Sequence, residues 1–253
     1  SSMRVAALIQ ARMDSKRLPG KVLMDLNGMP TIKHIWRRLL KCREIDEVVI
    51  SWGCTCEKDE TRGCAPCIER VTKAFGFMPR IWTGPELDIV SRHLGAAFAT
   101  RADAIIRITA DCPLVDPRLV DDMVRHYREA YPACDVLTNW YPKAVWPDGL
   151  DMDVQSTEVL QRIASVPDFP KEEYLGDMVK CGRFKWLVMP YLQEDLSRFR
   201  LTLDTHADHT AITRILSEIG NDCWDWTKIP RKLIPQTERP DYLSGHLSSY
   251  ATP

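Results

Sequence analysis

The sequence predicts an α/β fold in which a mostly parallel β-sheet is covered by helices on both faces. Two observations support this. Short apolar, β-branched segments alternate along the chain with segments of helical periodicity. With 45% hydrophobic and 27% charged residues, the 253-residue chain also has the composition of a globular protein that buries a core without disulfides. We therefore predict a single domain over residues 3–253.

The first part of the chain predicts two strands with a helix between them. Residues 4–9 form an apolar run consistent with a buried strand, and they lead into the polar, glycine-containing stretch 10–21. Apolar residues then recur over 32–40 at the spacing of a helix that packs one face on a core. Residues 47–52 predict the next strand.

The alternation continues through the rest of the chain. The pattern predicts a helix over 88–100, a β-branched strand over 104–109 and a helix over 117–130. The stretch 140–149, rich in proline and aromatic residues, predicts a surface loop. Further strand candidates are 135–138, 151–154, 184–189 and 200–203. Open sheets of this kind bind ligands beyond the carboxyl ends of their strands, so residues that follow a strand are the candidates for a site.

Charge and composition exclude several classes of protein. The 34 basic and 35 acidic residues leave a net charge of −1, so no global field favours a nucleic-acid partner. No apolar stretch approaches the roughly 18 residues that a membrane span needs, so we expect no membrane partner and a cytoplasmic protein. The nine cysteines, an odd number without a recognisable secretion signal, predict reduced thiols instead of a disulfide framework.

A basic loop follows the first predicted strand. The segment Arg12–Lys21 contains four cations and a glycine. Gly20 lets backbone N–H groups approach a ligand, while Arg12, Arg17 and Lys21 can donate charge-assisted hydrogen bonds to phosphate oxygens. The alternative is a solvated basic turn, which composition alone would favour.

Four segments, taken in order, resemble one known family. They are Ile9–Met13 with Ser15–Lys21, Arg107–Pro117, Pro147–Val154 and Arg200–Thr205. This series is similar to the cytidylyltransferase family that includes the spore-coat polysaccharide type and the CMP-sugar-acid synthetases. Four segments in the family's order, spread over roughly four fifths of the chain, are more specific than any one of them. Asp14 departs from the family's pattern, which usually has glycine or another small neutral residue there.

The resemblance implies a three-layer α/β/α domain of the nucleotide-diphospho-sugar transferase type, with a mixed, mostly parallel sheet. It implies transfer of CMP from CTP to a small acidic acceptor, a sugar acid or a phosphorylated small molecule, with release of pyrophosphate. Dimers are common among such relatives, so a homodimer is one expectation for the assembly. The nucleotide-binding residues implied by the resemblance are Leu8, Ala11, Arg12, Arg17, Gly20 and Lys21.

Two aspartates are candidates for a catalytic Mg²⁺ site. Asp111 and Asp204 each follow a predicted strand, and carboxylates from two strand ends can converge on Mg²⁺. The alternative is that each aspartate caps the next helix, which is the better interpretation for Asp116 ahead of Pro117. Thr205 and Asp208 have the spacing of a capping box. The predicted catalytic set, which takes its support from the resemblance, is Arg12, Lys21, Asp111 and Asp204.

A second acidic segment has two interpretations. In the resembled family the segment that contains Asp148, Asp151 and Asp153 lies near the acceptor, so we assign these residues to acceptor binding or a second metal contact. Asp151 and Asp153 also look like the metal-binding pair of a glycosyltransferase with a related fold, which is the alternative function. The basic loop suits an intact triphosphate better than a nucleotide sugar, which argues against that alternative.

Four of the cysteines form a cluster that the resemblance does not explain. Cys54, Cys56, Cys64 and Cys67 lie within fourteen residues, in an insertion at about 53–68. Two close thiol pairs can form a tetrahedral site, so we predict one structural Zn²⁺. The alternatives are an iron–sulfur site, a redox pair at Cys64 and Cys67, and four free thiols. A zinc-binding scaffold on a disabled transferase fold is a further alternative for the whole protein.

Overall fold

The computed structural model describes residues 2–56, 63–141, 143–172, 174–189 and 194–239. In this part of the chain the strands are β1 (Val5–Arg12), β2 (Asp25–Leu26), β3 (Met29–Pro30), β4 (Glu47–Cys54), β5 (Ile81–Pro85), β6 (Ala104–Thr109), β7 (Val136–Thr138), β8 (Asp153–Ser156) and β9 (Trp186–Val188). The α-helices are α1 (Thr31–Leu39), α2 (Ala65–Phe75), α3 (Ile89–Thr100), α4 (Pro117–Ala130), α5 (Thr157–Ser165), α6 (Tyr174–Lys180) and α7 (His206–Ile219).

The main sheet of the described residues has the strand order β5-β4-β1-β6-β8-β7-β9. Strands β5, β4, β1 and β6 are parallel to one another. Strand β8 lies between β6 and β7 and is antiparallel to both, while β9 runs parallel to β7. The sheet is thus mixed and mostly parallel, as the sequence predicted.

Helices cover both faces of the sheet, which confirms the three-layer α/β/α architecture. Because side chains alternate between the two faces of a strand, β1 contributes to two separate cores. Val5, Ala7, Ile9 and Ala11 pack with apolar residues of α1, α2, α4 and α7. Ala6 and Leu8 pack with apolar residues of α3, α5 and α6.

Side-chain caps fix where several helices begin at the edge of the sheet. Asp116 accepts a hydrogen bond from Arg118 N at the start of α4, as predicted. Thr205 and Asp208 form the predicted capping box of α7. The Thr205 side chain accepts a hydrogen bond from Asp208 N, and the Asp208 side chain accepts one from Thr205 N. Ser156 caps α5 in the same way by accepting from Val159 N. These caps fix the backbone beside the residues that follow the strands.

The strand prediction differs from the structure at two places. Strand β5 was not predicted, because its five residues include a glycine and a proline, which are depleted in strands. The predicted strand 200–203 is wrong: this extended segment forms only single bridges, from Asp148 to Arg200 and from Phe199 to Gln236, within the described residues. The ends of the predicted insertion 53–68 belong to β4 and α2.

None of the helices in the described ranges is both long enough and apolar enough to cross a membrane.

Candidate active site

A cleft of about 710 Å³ opens beyond the carboxyl ends of β1 and β6. Its lining is highly charged, which is the expected property of a site for a polyanion and a cation. The cationic residues of the lining are Arg12, Lys16, Arg17, Lys21, Arg92 and Arg107. The acidic residues are Asp14, Glu86, Asp111, Asp151, Asp153, Glu172, Asp177 and Asp204.

The basic loop is held in shape by its apolar residues and by Gly20. Leu18 and Val22 are buried in the core, so the cationic side chains between and before them are left at the cleft. Gly20 has a φ of 71°, a left-handed conformation that favours glycine, and its N–H donates to Met13 O over 3.1 Å. This hydrogen bond closes the loop between β1 and the short 3-10 helix that starts at Lys21.

Lys21 joins the two aspartates that the sequence assigned to a metal. Its Nζ lies 2.7 Å from Asp204 Oδ1 and 3.9 Å from Asp111 Oδ2. Asp111 Oδ1 accepts a hydrogen bond of 2.5 Å from Thr109 Oγ1 at the end of β6. The two carboxylates therefore converge on one point of the cleft, where a cation neutralises their repulsion.

Asp204 is held by a network of arginines and by the cap of α7. Its Oδ2 lies 3.3 Å from Arg17 Nη2 and 3.5 Å from Arg200 Nη2. Arg200 is also ion-paired with Asp208, at 2.7 Å from Nε to Oδ1, and Asp208 Oδ2 accepts from Asp204 N. Burial raises the pKa of Asp208, but the hydrogen bond from Arg200 and the other donors outweigh it and lower this pKa overall. Asp208 therefore stays ionised and keeps the Asp204 backbone fixed.

Arg12 is oriented by a residue that the sequence did not indicate. Its Nη1 donates to Glu86 Oε1 over 3.1 Å. Arg92, which is almost fully buried, donates from Nη1 to the carbonyls of Pro85 and Glu86. Gly53 leaves room for this guanidinium, since a Cβ there would lie 2.5 Å from Arg92 Nη1. The turn after β5 is thereby held against the end of β4.

The acidic segment that contains Asp148 and Asp151 is ion-paired with arginines. Arg239, whose side chain is 5% exposed, pairs with Asp151 and lies 3.7 Å from Asp148 Oδ1. Asp148 Oδ2 also lies 3.4 Å from Arg200 Nη1. Gly149 has a φ of 104°, and a Cβ there would lie 2.5 Å from the Leu201 carbonyl carbon. This close backbone contact holds the acidic segment against the segment that carries Asp204.

Asp153 belongs to a buried hydrogen-bond network beside the cleft. It is 1% exposed and pairs with Arg107, at 2.8 Å from Nη2 to Oδ2. Arg107 Nη1 donates to Gln10 Oε1, which also lies 3.0 Å from His93 Nε2. Both carboxylates of the Asp151-x-Asp153 motif thus have arginine partners, which does not favour the glycosyltransferase alternative.

The structure brings most of the predicted site residues together in this cleft. Leu8, Gly20 and Asp148 are not part of its lining: Leu8 is buried in the core, Gly20 shapes the loop, and Asp148 is paired with Arg200 and Arg239. Glu86, Arg107, Gln10 and Asp177 line the cleft but were not singled out from the sequence. Glu86, Arg107 and Gln10 have partners far away in the chain, which local patterns do not reveal.

The four clustered cysteines lie outside this cleft. Their sulfur atoms all lie within 4.8 Å of one another. Cys67 Sγ is 3.4 Å from Cys54 Sγ and 3.9 Å from Cys56 Sγ. Cys54 is the last residue of β4. Cys64 is the N-cap residue of α2, and Cys67 lies in the first turn of that helix. Residues 57–62, which connect the two pairs, lie outside the described residues.

Comparison with known proteins identifies the family. The profile of a family described as cytidylyltransferase matches residues 6–162. The spore coat polysaccharide biosynthesis protein SpsF of Bacillus subtilis is 29% identical over 84% of this chain and 86% of its own length. A 3-deoxy-manno-octulosonate cytidylyltransferase of Geobacter sulfurreducens is 28% identical, over 48% of this chain and 44% of that protein.

Solved structures agree with this assignment. A cytidylyltransferase from Leptospira borgpetersenii superimposes with a TM-score of 0.74 at 28% identity, covering 85% of this chain and 87% of that one. The CMP:2-keto-3-deoxy-manno-octonic acid synthetase, solved in complex with CTP, gives a TM-score of 0.61 over 85% of this chain and 99% of its own; at 20% identity it supports the fold alone. The family profile covers more than half of the chain. The chain is therefore an enzyme of the cytidylyltransferase family.

Proposed function

We propose that this enzyme transfers CMP from CTP to a small acidic acceptor, with sugar acids as the favoured class, and releases pyrophosphate. The observation that carries the proposal is the convergence of Lys21, Asp111 and Asp204 in a cleft lined by further cations of the basic loop. The relatives named as sugar-acid cytidylyltransferases support the same acceptor class.

In this proposal the chain contributes positioning and charge neutralisation instead of covalent catalysis. Arg12, Arg17 and Lys21 bind the triphosphate, with Gly20 allowing close approach of the loop. An acceptor oxygen attacks the α-phosphorus, and the bond to the pyrophosphate oxygen breaks in line with that attack. Lys21 stabilises the charge that develops at the phosphoryl group, because it lies at the point where both aspartates converge.

The carboxylates of Asp111 and Asp204 fit a Mg²⁺ ion in the cleft. Asp111 follows β6 and Asp204 directly precedes the N-cap of α7, so the two supply oxygen ligands from separate segments, and both already lie beside one cation, Lys21 Nζ. Magnesium is usually held by one or two carboxylates together with substrate phosphates, which matches this donor set. When bound, the ion supplies neutralisation of phosphate charge. Asp148, Asp151 and Asp153 remain our candidates for the acceptor side, and of these Asp151 and Asp153 line the cleft.

The proposal is tested by measuring pyrophosphate release with each of the four nucleoside triphosphates and a panel of acidic acceptors in the presence of Mg²⁺. We expect turnover with CTP and at least one sugar acid, and little with the purine nucleotides. Equal or greater activity with a nucleotide sugar as donor would contradict the proposal and favour a glycosyltransferase.

We propose that the four clustered cysteines bind one structural Zn²⁺. With a Zn–S bond of about 2.3 Å, the sulfur atoms of a tetrahedral site lie about 3.8 Å apart. The separations of 3.4 and 3.9 Å around Cys67 bracket that value. Cys54, Cys64 and Cys67 are buried, so metal ligation would also satisfy thiols that are out of contact with water. The site would join the end of β4 to the start of α2.

Metal analysis of the purified protein tests this second proposal. We expect about one zinc per chain, with less zinc in Cys64→Ser and an unchanged content in the control Cys181→Ser, whose thiol is exposed and far along the chain. Protein that contains no zinc, and whose four clustered thiols all titrate freely, would exclude the site.

A further inference from the structure

The side-chain amide of Gln10 lines the cleft, and its neighbours fix its orientation. Arg107 Nη1 donates to Gln10 Oε1 over 3.3 Å. A guanidinium has no acceptor, so the atom of the amide that faces Arg107 must be the oxygen. The amide NH₂ group of Gln10 is therefore directed away from Arg107, and among the described residues nothing accepts a hydrogen bond from it.

His93 supports the same orientation from within the core. It is fully buried, with Nε2 3.0 Å from Gln10 Oε1 and Nδ1 2.9 Å from Ser51 Oγ. Burial, together with the neighbouring Arg92 and Arg107, lowers the pKa of His93, so the ring is neutral with one donor and one acceptor nitrogen. Because Gln10 Oε1 only accepts, Nε2 carries the hydrogen and Nδ1 accepts from the Ser51 hydroxyl. Two donors thus hold the Gln10 oxygen.

The charges around Gln10 favour an oxygen atom of the ligand as the hydrogen-bond partner of the Gln10 NH₂ group. Gln10 and Arg12 are two residues apart on β1, so their side chains leave the same face of the sheet. Arg107 connects Gln10 to Asp153, a residue of the acidic segment that we assign to the acceptor side. The charge of Asp153 is already paired with Arg107 and does not repel an anion strongly. The NH₂ group is therefore a neutral donor of fixed orientation, on the same face of β1 as Arg12, while the oxygen of the same amide is held by Arg107.

We propose that the Gln10 NH₂ group donates a hydrogen bond to the carboxylate of the acceptor and is a specificity-determining contact of this site. The inference rests on the proposed transfer of CMP to an acid, and it names the side chain that recognises the acid group. A preoriented donor discriminates well, because a ligand without the matching acceptor atom leaves that donor unpaired.

Steady-state kinetics of two Gln10 variants test the contact. Gln10→Met removes the donor without adding charge, and Gln10→Glu replaces the donor with an acceptor of the same shape. For both we expect kcat/KM for the acid acceptor to fall about tenfold or more, while the KM for CTP changes less than about threefold. The matched control is Gln161→Glu, an exposed position on α5, for which both constants should stay at the wild-type level.

A second readout is the ratio of kcat/KM between the acid acceptor and its matching alcohol. Gln10→Met should lower this ratio, because the lost hydrogen bond served the acid alone. The inference would be overturned if the ratio and kcat/KM of Gln10→Met stayed within about twofold of wild type, or if only the KM for CTP rose. Turnover by the wild-type enzyme would in that case still support the proposed function. A wild-type enzyme that releases no pyrophosphate from CTP with any acid would instead overturn the proposed function, and this inference with it.

Discussion

Lys21 is the residue on which the charge balance of the cleft depends. Asp111 and Asp204 would repel each other if they lay this close without a cation between them. The Lys21 ammonium lies within ion-pair distance of both, and its side chain is 14% exposed. In the proposed reaction the same ammonium faces the phosphates, so it contributes to the transition state as well as to the resting site.

Lys21→Ala is expected to lose most turnover while the protein remains folded. Loss of a charge-assisted phosphate contact costs about 1.5–3 kcal/mol, which corresponds to a fall in kcat/KM of roughly 10- to 150-fold. Pyrophosphate release with CTP and an active acceptor measures the loss, and circular dichroism verifies the fold. Lys228→Ala, at an exposed position, is the control and should keep wild-type kinetics. Near wild-type activity of Lys21→Ala would show that the assigned site is wrong.

Asp151 is expected to make stability depend on pH. Removal from water raises the pKa of Asp151 from its ordinary value of 3.8 to about 7, even though Arg239 opposes the shift. At pH values between about 4 and about 7, the Asp151 carboxyl is therefore protonated to a greater extent in the folded state than in the unfolded state. Linkage then requires that the contribution of Asp151 to stability falls as the pH rises from about 4 to about 7.

Urea unfolding at pH 4.5 and pH 7 measures this effect. Asp151→Asn carries no titrating group there, so its free energy of unfolding should decline less over this interval than that of the wild type. Asp168→Asn, at an exposed position, is the control and should follow the wild type. Parallel declines in wild type and Asp151→Asn would contradict the raised pKa.

The sequence predicts some of these residues and not others, for a physical reason. Lys21 lies in a basic loop, Asp111 follows β6 and Asp204 follows a segment with a strand-like pattern, so local pattern and family resemblance both indicate them. Arg239 and Glu86 act through partners that are many positions away in the chain. Their pairing depends on how the sheet and its connections pack, which no local pattern records.

At the scale of elements, the start of α7 connects helix stability to the site. Thr205 accepts from Asp208 N, and Asp208 accepts in return from the backbone of Asp204 and Thr205. The same cap that begins the helix therefore fixes the residue that we assign to the metal.

Thr205→Ala is expected to lower the free energy of unfolding by about 1 kcal/mol and to lower turnover as well. The stability loss is that of a removed N-cap, and the activity loss follows because the Asp204 backbone is less well fixed. Urea unfolding and pyrophosphate release measure the two effects. Thr210→Ala, exposed on the same helix, should leave both almost unchanged. A stability loss without any change in turnover would show that the cap does not position Asp204.

Elements with strong periodicity are the ones that the sequence predicts well. Helices α1, α3 and α4 lie close to their predicted ranges, and so do β1, β4 and β6. The failure at 200–203 has a different origin: the segment alternates polar and apolar residues and is extended, but its neighbours on either side offer only isolated bridges. Alternation of residue types predicts an extended backbone, whereas a strand also needs a partner of sufficient length.

The cleft lies beyond the neighbouring strands β1 and β6, and connections from both halves of the sheet contribute to its lining. A ligand that binds the folded state alone stabilises it, by about 2.7 kcal/mol at a free concentration one hundred times its Kd. CTP with Mg²⁺ would contact the basic loop and both metal-site aspartates, so it should stabilise the protein as one cooperative unit.

Thermal unfolding tests this expectation. We expect CTP with Mg²⁺ to raise the Tm by several degrees, and CTP with EDTA to raise it less. In Asp204→Asn the difference between the two conditions should shrink, because one of the two carboxylates that fit the ion has lost its charge. An equal shift in wild type with and without the metal would argue against a metal site at these aspartates.

The contact at Gly149 sets a limit for anyone who wishes to redesign the acceptor preference of this enzyme. A single added methyl group there would collide with the main chain at Leu201, which lies in the segment leading to Asp204. Position 149 should therefore be kept fixed in any mutant library, since its variants would push the acidic segment away from the segment that carries Asp204, a residue of the proposed catalytic site. Mutagenesis of side chains that line the cleft, such as Tyr141 and Leu175, is the better starting point.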